Sequence, residues 1–167
     1  MNSPAGDPVA SAFRDVMSRV CTPVSVITAL DGNRPHGTTV SAFASLSMDP
    51  PMVLVSLDRG SDLLAIVRES GRFGVNVLAH HQADLALRFA RKGLDKFSDV
   101  DWEIAADTPR LRGVSGWLSC SVKTLVEGGD HIVVLGEVTD THSEIAAPLT
   151  YHDRAFGTHS ALEAAAR

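Results

Sequence analysis

Apolar and polar positions follow two different periods along this chain. At the start, Val9, Phe13, Val16, Met17 and Val20 recur at helical spacing, behind Asp7 as a cap and Pro8 at the first helical position. Thr22-Pro23 closes that helix, and Val24 to Leu30 is β-prone. Asp31-Gly32-Asn33 is a hairpin turn signal, so the chain returns through Pro35, His36 and Gly37 into Thr38, Thr39, Val40 and Ser41. After the break at Asp49-Pro50-Pro51, Met52 to Leu57 reads as a continuous apolar strand, buried on both faces. Ser61 caps a short helix with Leu63, Leu64, Ile66 and Val67 inward, and Gly71 ends it. Phe73 to Leu78 is a strand, and Gln82 to Ala90 is a second short helix with Leu85, Ala86 and Phe89 inward. Lys92 to Arg112 reads as loop-rich, anchored by Trp102 and Ile104.

Two long strands follow. In Ser119 to Val126 the pattern puts Cys120, Val122, Thr124 and Val126 on one face. In His131 to Thr141 it puts Ile132, Val134, Gly136 and Val138 on one face, and Glu127-Gly128-Gly129-Asp130 joins the pair. Pro148 to His159 offers a last strand pair. Strands dominate and hairpins join most neighbours, so the pattern predicts a mainly β chain: an antiparallel barrel with peripheral short helices. No linker divides it, which predicts one domain over 1–167, with 1–7 and 161–167 as flexible tails.

Composition narrows the function classes. A net charge of −5 and 5% aromatic residues give neither the basic footprint nor the stacking surface of a nucleic-acid binder. The longest apolar runs, such as Met52 to Val55 and Ile132 to Leu135, are strand-sized, so no membrane span is expected. The first seven residues lack a signal-peptide core, which predicts a cytoplasmic protein. Cys21 and Cys120 form no metal spacing; both read as reduced, small buried hydrophobes, and no metal is expected.

The familiar catalytic signatures are missing: there is no GxSxG, HExxH, P-loop or GxGxxG. One stretch stands out instead, the small and hydroxyl-rich run from Gly37 to Ser47. Small side chains let a flat ligand approach the backbone, although on composition alone an ordinary polar edge strand is the favoured reading. Ser61, at a helix start, suits a phosphate, and Arg88 could supply a cation; a plain cap and a solvated charge are the commoner cases. His131 opens a long strand after Gly-Gly-Asp, where a solvated loop-end histidine is the ordinary reading.

Taken in order, these pieces resemble the short-chain flavin reductases, split β-barrel proteins that serve two-component monooxygenases. The residues that carry the resemblance are Thr22 to Thr28, Gly37 to Phe43, Ser45-Leu46-Ser47, Asp49-Pro50-Pro51, and Phe73 to Leu78 with Gln82. Arg88-Phe89-Ala90, Lys96-Phe97, Gly129-Asp130-His131, Gly136-Glu137-Val138, Pro148-Leu149 with Tyr151, and Phe156-Gly157 complete it. The resemblance implies a Greek-key split barrel and a homodimer. It implies an NAD(P)H-dependent enzyme that passes hydride to FMN or FAD, for a separate flavin-dependent monooxygenase. It also implies residue roles. Gly37, Thr38, Thr39, Val40 and Ser41 would line the flavin ring and ribityl chain, with Ser47 near the chain or phosphate. Ser56, Leu57 and Asp58 would end the strand where the flavin lies, Ser61 would cap the phosphate, and Arg88 and Phe89 would contact the flavin. His131 would be the catalytic residue at the nicotinamide, approached also by Tyr151. Asn76 reads as a strand residue that satisfies neighbouring backbone.

Two carboxylates, Asp58 and Asp62, lie near the expected phosphate and call for compensation by Arg59 or Arg88. Two other readings stay open: a tight FMN-binding electron carrier, and a split-barrel oxidase acting on another small molecule.

Overall fold

The computed structural model describes residues 7–93 and 95–162. Of the tails expected to be flexible, 1–6 and 163–167 lie outside the described residues. Helix α1 (Pro8–Ser18) begins as the pattern predicts, with the Asp7 carboxylate accepting from the Val9 N–H. Then come β1 (Thr22–Pro23), β2 (Ser25–Asp31), β3 (Arg34–Val40), β4 (Phe43–Met48) and β5 (Pro51–Asp58). Helix α2 (Asp62–Ser70), β6 (Arg72–Val77) and helix α3 (Ala83–Ala90) follow. The remainder is β7 (Trp102–Ala105), β8 (Thr108–Leu111), β9 (Gly116–Gly128), β10 (His131–Ser143), β11 (Leu149–His152) and β12 (Ala155–Thr158).

The main sheet has seven antiparallel strands in the order β3-β2-β6-β9-β10-β5-β4. Its outermost strands, β3 and β4, are consecutive in the chain and joined by Ser41 and Ala42 alone. A flat sheet of this order would set its edges roughly 29 Å apart, and the connection from Val40 to Phe43 spans at most about 11 Å. The sheet therefore has to close on itself as a barrel. The Ser56 N–H donates to Ala42 O at 3.0 Å, which carries the β4–β5 ladder up to that connector. Away from that junction β3 and β5 part, and the barrel is split.

The interior packs Ile27, Ala29, Val53, Val55, Leu57, Phe73, Val75, Ile132 and Val134 against Leu63, Leu64 and Val67 of α2. A second core lies outside β2, where Val26, Leu78, Phe89, Phe97, Leu111 and Trp117 pack under α3 and the β7–β8 hairpin. The strands buried on both faces are thus β2 and β6. In β5, Val53, Val55 and Leu57 are buried while Met52, Leu54 and Ser56 are half-exposed, which corrects the expectation for Met52 to Leu57. At Gly136 the chain needs the missing side chain: a Cβ there would stand 2.4 Å from Cζ of the buried Phe73.

Two other expectations are overturned. Lys92 to Arg112 contains the β7–β8 hairpin, and Ile104 is 52% exposed; Phe97 and Leu111 are the buried anchors, with Trp102 edge-on to Phe97 at 5.4 Å. In β9, Lys123 is an extra residue between the pairs Leu135–Thr124 and Gly136–Val122. That bulge reverses the alternation, so Val122 packs against the interior core while Thr124 and Val126 are exposed. Helix α1 carries the apolar face read from its spacing; it has no buried residue, and that stripe faces away from its own chain. No helix of the described residues is long and apolar enough to cross a membrane.

Candidate functional site

The split in the barrel is a cavity of about 470 Å³, within the usual size of a small-molecule site. One bank is β3, from Arg34 to Thr38; the other is the end of β5 and the start of α2, with Asp58, Gly60, Ser61, Asp62 and Leu63. The segment after α3 closes the third side through Arg91, Lys92, Asp95 and Lys96. Each bank is set by local chemistry. The Asp58 carboxylate accepts from Gly60 N at 2.7 Å and turns the chain out of β5. Ser61 Oγ then accepts from Leu64 N at 3.1 Å and starts α2.

Lys96 ties the banks to the rest of the fold. Its Nζ donates to Gly37 O at 3.1 Å and to Phe89 O at 2.9 Å, joining β3 to the end of α3. Burial pushes its ammonium below the usual lysine value, and the Asp62 carboxylate raises it in part. Arg34, Arg91, Lys92 and Lys96 meet Asp58, Asp62 and Asp95 around the cavity, so four cations face three carboxylates in a chain whose net charge is −5. His36 also lines it, with a buried Nε2 that has no partner among the described residues. Among the described residues no group of His, Cys, Asp or Glu could hold a metal ion.

Of the residues singled out in the sequence, Gly37, Thr38, Asp58 and Ser61 line this cavity. His131 stands beside it: it opens β10 directly opposite Asp58, and its Nδ1 lies 2.8 Å from the Asp130 carboxylate. The His131 ring holds the Asp130 carboxyl below the usual carboxylate range. Thr39 turns the other way and donates to Ala86 O at 2.7 Å, fastening β3 to α3. Val40 packs on the interior core, Ser41 is exposed in the β3–β4 junction, and Ser47 and Ser56 are half-buried on β4 and β5. Leu57 and Phe89 are fully buried core side chains and do not reach the cavity. Tyr151 belongs to the separate β1-β11-β12 sheet, with its ring on Phe156.

The two compensating arginines are engaged elsewhere. Arg59 pairs with Glu127 and donates to Gly129 O at 3.0 Å, bracing the β9–β10 turn. Arg88 donates to Ser98 O and does not line the cavity. The cations that do were not identified as ligands from sequence, although Lys96-Phe97 stands among the quoted motif residues. No local pattern in Arg34, Arg91 or Lys92 marks them, because barrel closure brings them together.

Comparison with known proteins decides the family. Residues 17–160 match the flavin reductase like domain. This chain belongs to the flavin reductase family. It is accordingly an oxidoreductase that uses NAD(P)H and flavin. The "Probable flavin reductase" of Rhizobium meliloti (strain 1021) is 39% identical over 130 residues, which are 77% of this chain and 42% of that longer protein. The reductase component of 4-nitrophenol 4-monooxygenase/4-nitrocatechol 2-monooxygenase from Rhodococcus opacus is 37% identical over 145 residues, 87% of this chain and 78% of that one. Among solved structures, the NADH:FAD oxidoreductase SgcE6 of Streptomyces globisporus, in complex with NAD and FAD fragments, superposes with a TM-score of 0.86 at 29% identity, covering 95% of this chain and 98% of that one.

Proposed function

We propose that this single-domain flavin reductase supplies reduced FMN or FAD to a separate monooxygenase, drawing hydride from NADH or NADPH. The observation that carries the reading is the cavity in the split, which joins small, backbone-lined walls at Gly37 and Ser61 to a cation held rigidly at Lys96. Such a site suits a flat ring with a phosphorylated tail. A flavin, when bound, supplies the ring that accepts hydride. The chain supplies position. Gly37 and Thr38 set one wall, Ser61 and Asp62 set the other, and His131, opposite Asp58, orients the nicotinamide at the rim. Hydride transfer between two rings requires no proton-transfer dyad. Reductase relatives that serve monooxygenases support the partner. Reduced nicotinamide supports a cytoplasmic site of action, as does an exposed free thiol at Cys21.

The same reading includes a homodimer. Val9 and Phe13 on α1 are 73% and 61% exposed, and Val16, Met17 and Val20 extend the stripe. The helix is held to its own chain through polar groups: Asp153 N donates to Ser18 O, and Arg154 pairs with Asp15. A contiguous apolar stripe of this kind marks an interaction surface, and a two-fold pairing would cover both copies of it at once.

The test is NADH absorbance loss by cofactor-free protein in air, with and without added FMN or FAD. Saturable, flavin-dependent turnover is expected. No turnover, with flavin retained through gel filtration, would replace the reductase reading with that of an electron carrier.

A further inference from the structure

Two strands carry more apolar residues than one core uses. Met52 to Val55 on β5 and Ile132 to Leu135 on β10 are apolar at every position, and Leu54 and Leu135 stand opposite each other in register. Val53, Val55, Ile132 and Val134 fill the barrel interior. The alternate residues Met52, Leu54, Val133 and Leu135 join neither core and are half-exposed on the outer face. Val126 of β9 pairs with Val133, extends this patch and is 45% exposed. An antiparallel sheet with one face in water alternates apolar inward and polar outward. Strands apolar on both faces belong to a sheet that is covered on both. Beside the patch, Lys123 and Glu137 close on each other at 2.7 Å, so the neighbouring charges are already paired.

Helix α1 has the complementary shortage. At 11 residues it is marginal as an isolated helix and depends on packing of its apolar face. Among the described residues it meets its own chain through polar groups, at Asp153 N and Arg154, and its stripe from Val9 to Val20 is bare. One chain thus holds a helix without a seat and a sheet face without a cover. A second copy supplies both, and two-fold symmetry closes the exchange without leaving either surface free to propagate.

Area separates this arrangement from a simple pairing of the two helices. The exposed parts of Val9, Phe13, Val16, Met17 and Val20 amount to roughly 500 Å². A stable dimer buries about 800 Å² on each partner. Helix against helix falls short of that, whereas each copy that contributes both its helix and its sheet face reaches it. We infer that in the dimer α1 of each copy lies across the β5–β10–β9 outer face of the other. The inference rests on the homodimer reading and adds the seat of the helix.

The experiment follows dimer mass by light scattering through a dilution series, for the wild type, Phe13→Lys, Leu135→Glu and an equal mixture of the two variants. Each variant alone spoils both contacts and should raise the dimer Kd roughly 100-fold or more. In the mixture one copy brings a sound face and the other a sound helix, so one contact is intact and the other sets Lys against Glu. The mixture should therefore associate at a concentration roughly 10-fold or more below that of either variant alone. Pairing of helix with helix gives a different result: Leu135→Glu dimerises like the wild type, and mixing restores nothing. Either of those outcomes overturns the inference while leaving the homodimer in place. If Leu135→Glu does not fold, Val126→Glu on the exposed end of the same face takes its place, with the same outcomes. A wild type that stays monomeric throughout overturns the homodimer reading and the inference with it.

Discussion

The ring of Phe89 lies against the Cα of Gly37 so closely that a Cβ on Gly37 would stand 2.9 Å from Cε1 of that ring. Phe89 is fully buried and edge-on to Phe97 at 4.9 Å, so it has nowhere to go. Gly37→Ala should therefore cost about 1–3 kcal/mol by overpacking. It should also push β3 away from α3 and lengthen the Lys96 bond to Gly37 O. The expected outcome is a lower Tm together with a raised KM for flavin. An unchanged flavin KM in a destabilised variant would separate the packing from the site.

Asn76 is buried, and its Nδ2 donates to Val26 O, Thr28 Oγ1 and Pro109 O at 3.2 to 3.3 Å. Its Oδ1 accepts from Leu111 N at 2.8 Å. These bonds hold β8 on the main sheet. Asn76→Ala should cost about 2–3 kcal/mol in urea unfolding, because several buried backbone groups lose their partner. Asn76→Asp should cost at least as much, since it sets an acceptor against carbonyl oxygens. The outcome that would refute this is an Asp variant as stable as the wild type.

His131 pairs in register with Asp58, which lines the cavity, and its ring meets the Asp130 carboxylate. His131→Ala should raise the KM for NADH by roughly 10-fold or more while moving the flavin KM far less. Equal shifts in both would remove His131 from the nicotinamide site.

Burial pushes the Cys120 thiol up to about 12 from an ordinary value of 9.0, whereas Cys21 is exposed. A thiol reagent at pH 8 should modify one cysteine in the native protein and the second only after unfolding. The folded chain keeps Cys120 protonated, and the unfolded chain ionises it from about pH 9. Its contribution is thus intact below that pH and is lost between about 9 and about 12. Cys120→Ala should flatten the fall in stability over that interval relative to wild type. Identical slopes would refute the assignment.

Phe13→Asp places a charge in the middle of the α1 stripe without touching a buried residue. Light scattering should show a dimer for the wild type and a monomer for this variant, with little change in the far-ultraviolet spectrum. A variant that remains dimeric would move the interface elsewhere.

Local chemistry made much of the fold legible. Asp7, Ser61 and Gly71 are where caps and turns demand them, and Asn76 satisfies neighbouring backbone as expected. What escaped depends on partners distant in sequence. The bulge at Lys123 follows from pairing with β10, and nothing in the β9 sequence itself announces it. The cavity divides the same way. Gly37, Thr38, Asp58 and Ser61 carry signals of their own, as small residues, a strand end and a helix cap. The cation assignment went to Arg88, on a helix, whereas the fold turns Arg88 to Ser98 O and brings Lys96 into the cavity. Leu57 and Phe89 match the family pattern yet sit in the cores, where they shape the site without touching it.

Because Ser41 and Ala42 alone bridge the two edges of the sheet, the barrel is fastened at one end of its seam and open at the other. A molecule lodged between β3 and the β5–α2 corner acts as a second fastening. Ligand and barrel closure then stabilise each other: saturating flavin at about 100 times its Kd should add about 2.7 kcal/mol to the folded state. Amide hydrogens of β3 would exchange more slowly when flavin is present, and a reductase that has released its reduced product would be left with its staves momentarily loosened.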